Sequence, residues 1–182
     1  MSLRGGRVGW TVCCALIFLT AFVWAVGAQT ADPACQQLEA ILSQRNDGFS
    51  ALQEAPLESP NQSVTSTFLF LDSQDCKIIS SFSSPEAGAY SCEWKMADNT
   101  IAQQKFFALR DMVKLCRSDL AVNDESLDPN EPGMLFIVTN DDTYIAIGMV
   151  TESNSGEPAQ HRVGIDILSA QGFANWKALL GE

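Results

Sequence analysis

The sequence predicts an α+β fold, an antiparallel sheet built in α-β-β-β-α-β-β-β order with two main helices on one face. Three observations carry that expectation. Two segments repeat apolar residues at helical spacing, and six shorter ones show the alternation or compact apolar runs of strands. The strands also come in runs interrupted by single helices, which is the α+β pattern rather than the α/β one.

"DPACQQLEAILSQRNDGFSALQ" reads as the first helix. Asp32 can cap it and Pro33 suits its first turn, while Cys35, Leu38, Leu42, Phe49 and Leu52 follow near-helical spacing. Asn46-Asp47-Gly48 is a place where it can end early. "TSTFLFLDS", "CKIISSFS" and "AYSCEWKM" then read as three strands, separated by the turn-formers "DSQD" and "SSPEAG". "ADNTIAQQKFFALRDMVKLCRSDL" is the clearest helix, with Ala102, Phe106, Leu109, Val113, Cys116 and Leu120 in one apolar stripe. Asp98 or Asn99 caps its start.

An acidic loop, "NDESLDPNEPG", follows. "GMLFIVTNDDTYIAIGMV" is a hairpin turning at Asp141-Asp142, "HRVGIDIL" fits an edge strand, and "AQGFANWKALLGE" offers a short closing helix. The order is similar to the helix-and-sheet sandwich of secretion-chaperone-like proteins, a likeness of topology that transfers no function.

Residues 1–28 stand apart. Arg4 and Arg7 precede the continuous apolar run "WTVCCALIFLTAFVWAV" and the small residues of "VGAQT", the three-part layout of a secretory signal peptide. Residues 29–182 then form a single domain. Loss of the signal leaves 9 basic against 22 acidic residues, a net charge of −13, which disfavours nucleic acid and anionic membrane surfaces and favours a cationic partner. Export implies a secreted or periplasmic location, with no stable membrane insertion once the signal is removed.

Four cysteines remain: Cys35, Cys76, Cys92 and Cys116. An even count in an exported chain, without Cys-x-x-Cys, points to disulfides rather than to zinc or redox chemistry. Reversing direction at each element puts Cys35 and Cys76 at one end and Cys92 and Cys116 at the other. A hairpin turning near Glu86-Ala87 would set Ser81 opposite Cys92, leaving Cys76 about 16 Å away. The expected bridges are therefore Cys35–Cys76 and Cys92–Cys116.

Catalytic signatures are missing. The sequence has no G-x-S-x-G, no phosphate-binding G-x-x-x-x-G-K and no H-E-x-x-H, and its one histidine, His161, reads as a solvated residue at a strand edge. Asp124, Glu125, Asp128 and Glu131 lack the ligand order of a calcium loop. No catalytic residue, metal or cofactor is assigned.

The hairpin is informative. A turn at Asp141-Asp142 faces Met134, Phe136 and Val138 against Met149, Ile147 and Ile145. It leaves Leu135, Ile137 and Thr139 facing Gly148, Ala146 and Tyr144 on the other side. Both faces are apolar, so a single layer of helices does not account for them. Trp94, Leu135, Ile137, Tyr144, Phe173 and Trp176 form the expected interaction surface. The expected function is a non-catalytic interaction module (inhibitor, adaptor or chaperone-like) that binds a protein partner or a second copy. The alternative is a carboxylate-based hydrolase or a small-ligand carrier.

Overall fold

The computed structural model describes residues 32–80, 88–127, 133–152 and 158–180, without the side chains of Trp176, Leu179 and Leu180. The first 28 residues, where the signal peptide is expected, lie outside this set.

Helix α1 spans Pro33–Leu42, its first turn capped by Asp32, which accepts from the Ala34 N–H at 2.8 Å. It ends at Leu42, short of the Gln53 that the longest reading of the sequence reaches. Gly48 and Phe49 adopt left-handed backbone, with φ of 60° and 61°, between two short 3-10 turns. Such a φ costs a phenylalanine about 1 kcal/mol, an amount offset by complete burial of its ring.

Only Ser63–Thr65 of the next region is a strand, β1. The run "FLFLDS" expected to extend it is irregular instead. Its backbone groups are satisfied by side chains: Leu71 N–H donates to Gln37 at 2.8 Å, and the Phe68 carbonyl accepts from the Tyr90 hydroxyl at 2.8 Å. Phe70 is thereby placed in the core and Leu69 in solvent.

Strands β2 (Asp75–Ser80) and β3 (Gly88–Met96) form a hairpin, and α2 (Asn99–Cys116) follows. Asp98 caps α2 by accepting from the N–H groups of Thr100 and Ile101, and Ala102, Phe106, Leu109 and Val113 are its buried stripe. The rest of the sheet is β4 (Ala121–Ser126), β5 (Gly133–Thr139), β6 (Tyr144–Glu152) and β7 (Gln160–Leu168), and α3 (Ala170–Leu180) closes the chain.

All seven strands form one antiparallel sheet in the order β1-β2-β3-β7-β6-β5-β4. The final strands of the two halves, β3 and β7, pair at its centre. β7 was expected at an edge, but its residues Val163, Ile165 and Ile167 are fully buried because a strand is bonded on each side. β4 was expected as an acidic loop. Its Asn, Asp, Glu and Ser are poor strand formers, and the free backbone edge of β5 recruits them with a bulge between Val122 and Asp124.

One face of the sheet packs against α2, and α1 adds Leu38, Ile41 and Leu42 to the same core. Tyr90, in β3, is fully buried at its centre, and desolvation pushes its phenol well above the ordinary range. A folded pKa above the unfolded one stabilises fully below the ordinary tyrosine value, and the stabilisation is lost as pH rises beyond it. Alkaline denaturation of Tyr90→Phe, followed by circular dichroism, should therefore begin at higher pH than that of the unaltered chain.

All four expected cysteines are bonded, but the pairing is Cys35–Cys116 and Cys76–Cys92. Two premises of the expected pairing fail. The register of β2 on β3, Ser80 opposite Gly88, sets Cys76 directly opposite Cys92 with Cα atoms 4.1 Å apart. The early end of α1 and its two 3-10 turns also break the count of reversals, so the start of α1 meets the end of α2, Cα atoms 5.1 Å apart.

Candidate interaction face

The side chains of β5 and β6 divide as their alternation predicts. Met134, Phe136 and Val138 pair with Met149, Ile147 and Ile145 under α2, while Leu135, Ile137 and Thr139 pair with Gly148, Ala146 and Tyr144 on the opposite face. The position of β7 completes this second face. Across the sheet, one row runs Glu93, Gly164, Gly148, Leu135, and the next runs Ser91, Asp166, Ala146, Ile137, Asp124.

Gly148 and Gly164 are cross-strand partners and leave a trough in the middle of this face. Neither glycine is there for the backbone, since neither has a positive φ. Nor does crowding demand them. Among the described residues nothing lies within 4 Å of a Cβ built on Gly148, and one on Gly164 would meet the Cys92 carbonyl at an ordinary 3.5 Å. Leu135 and Ile137 flank the trough half-buried, and Val150 at its end is 49% exposed.

Among the described residues, none of helix α3 lies within 4 Å of a Cβ built on Gly148 or Gly164. Its contacts gather at one end of the sheet. Ser169 accepts from Gly88 N–H and Gly172 N–H, Lys177 reaches the Asp141 carbonyl, and Phe173 packs on Tyr144 with ring centroids 5.9 Å apart. A Cβ on Gly172 would come within 2.8 Å of the Gly88 carbonyl, so this close clamp depends on glycine.

Of the residues expected on the interaction surface, the structure brings Leu135, Ile137 and Tyr144 onto one face, with Phe173 beside Tyr144 at its end. The Trp176 side chain lies outside the described set. Trp94 belongs elsewhere: it is 1% exposed on the helix-covered face, donating its indole N–H to Asp72 under the ammonium of Lys105. His161, expected in solvent, is also buried, its Nδ1 2.9 Å from the hydroxyl of its cross-strand partner Thr151.

Sequence reasoning missed Gly164 and Asp166, weighed Asp124 only as an acid of a calcium loop, and named Gly148 only as the residue opposite Leu135. A lone glycine inside each of two strand patterns, "IAIGMV" and "RVGIDIL", was the available signal.

The chemistry of this face is limited. The Asp166 side chain is exposed to solvent on this face; the sheet around it still raises its carboxyl pKa above the ordinary value by partial desolvation, against a smaller opposing pull from the Ser91 hydroxyl. Asp124 lies three strand spacings away, about 14 Å at the backbone, beyond the roughly 5–9.5 Å over which paired carboxylates cleave glycosides. Among the described residues no three His, Cys, Asp or Glu side chains converge as a metal site, and no helix is long and apolar enough to cross a membrane.

No family model matches the sequence, and no curated protein or solved structure matches it.

Proposed function

We propose that the protein is an exported, non-catalytic interaction module that docks a protein partner on the second face of its sheet. One observation carries this reading: a glycine trough that, among the described residues, neither backbone conformation nor packing requires, bordered by Leu135, Ile137 and Val150. A sheet face of this kind would ordinarily carry larger side chains, because glycine weakens a strand interior. A trough left open by the described residues is accounted for if a partner's side chains enter it. The two disulfides and the signal-like first 28 residues support an oxidising compartment, secreted or periplasmic.

The test is a photo-crosslinking residue at position 137, compared with one at position 115 on the exposed side of α2, in cells that process the full chain. Position 137 should yield a discrete crosslinked protein that position 115 does not. Gly148→Val should abolish that product while changing stability by less than about 1 kcal/mol, since valine suits a strand. If position 137 gives no discrete product, or if Gly148→Val leaves it intact, the proposal fails.

A further inference from the structure

We infer that the occupant of the trough is an amphipathic protein segment carrying a lysine or arginine, which Asp166 and Asp124 receive; this inference rests on the docking role proposed above.

The argument is one of charge complementarity. Most carboxylates on the sheet are already neutralised within the chain. Asp75 pairs with Lys77, Glu93 with Lys95 and Arg162, Glu152 with Arg162, and Glu125 with Arg110 and Lys114. Among the described residues, Asp166 and Asp124 alone of the sheet's carboxylates have no such cation. They stand on the same row of the same face, with Ala146 and Ile137 between them.

The described residues have no spare cation to supply. Every described lysine and arginine is engaged. Besides those above, Arg45 pairs with Asp142, Lys105 with Asp72 and Arg117 with Asp119, and Lys177 binds the Asp141 carbonyl over the Phe173 ring. Both carboxylates are exposed, so an incoming lysine or arginine reaches them without displacing any described cation of the chain, and its attraction adds to that of the apolar surface between them. The apolar residues beside Asp166 fix the rest of the ligand's character. Ile137, Leu135 and the two glycines offer nothing to a fully polar chain and a good surface to leucine-like side chains.

The probes are a short amphipathic peptide of leucine and lysine and its leucine–glutamate counterpart. Each is titrated by calorimetry into the purified protein as the cell processes it. The lysine peptide should bind and the glutamate peptide should not, and added salt should weaken the binding. Asp166→Asn should reduce affinity about tenfold or more. The same variant should be slightly more stable than the unaltered chain near neutral pH, read as a small rise in its thermal midpoint. That difference should vanish below the ordinary aspartate range, where both side chains are neutral.

Equal binding of both peptides, or full affinity in Asp166→Asn, overturns the inference. Gly148→Val separates the two levels of the argument. If it abolishes binding while peptide charge and Asp166→Asn have no effect, the docking face stands and only the cationic partner falls. If sedimentation shows a dimer that Gly148→Val converts to monomer, a second copy is the occupant and the inference is overturned.

Discussion

Replacing Cys35 and Cys116 together by alanine is expected to lower the unfolding free energy by about 4–5 kcal/mol. That is the chain-entropy value for a closed loop of this length. The two cysteines are 81 residues apart in sequence, and the bridge joins the start of α1 to the end of α2. The Cys76–Cys92 bridge closes a separation of only 16 residues between strands that already pair, so its loss should cost less, about 3 kcal/mol. Urea denaturation of the two double variants measures the difference. Peptide mapping of the non-reduced protein should recover these two linkages. A Cys35–Cys76 linkage, or an equal effect of the two double variants, would contradict the packing of α1 against α2.

Trp94→Ala is the largest single-residue effect expected, about 3–5 kcal/mol. The indole is 1% exposed and does more than fill volume. Its N–H donates to Asp72 at 3.2 Å, Lys105 lies 4.6 Å from the ring centroid, and the same lysine binds Asp72. This group fastens the irregular segment after β1 to the middle of α2. Ile137→Ala, on the second face, should cost less, about 1 kcal/mol, because that side chain is only partly buried. Thermal unfolding of the pair separates a core side from a docking side. Comparable losses would mean that the second face is a core after all.

Local pattern made much of this architecture legible. The stripe of α2 and the register of the β5–β6 hairpin follow from residues close in sequence, where periodicity and turn position leave a single solution. The segment after β1 shows the limit of such reading. Four apolar residues in "FLFL" look like a strand, yet their backbone bonds go to Gln37 and Tyr90, which lie far along the chain. β4 fails in the opposite sense, since its polar residues become a strand because an edge was waiting for them. Of the candidate face, the β5 and β6 residues were readable. Asp166 and Gly164 were not, because β7 had been expected at an edge.

The sequence by itself determined the class of fold, the main helix, the hairpin that exposes Leu135 and Ile137, and the oxidation of all four cysteines. These depend on spacing, alternation and composition, which act over a few residues at a time. Only the tertiary structure decided which cysteine meets which, that β7 runs through the centre, and that Gly148 and Gly164 lie side by side with Asp166 next to them. Those outcomes depend on a strand register shifted by a few residues and on a helix that stops early. Pairing between distant segments magnifies each such local shift into a different set of neighbours.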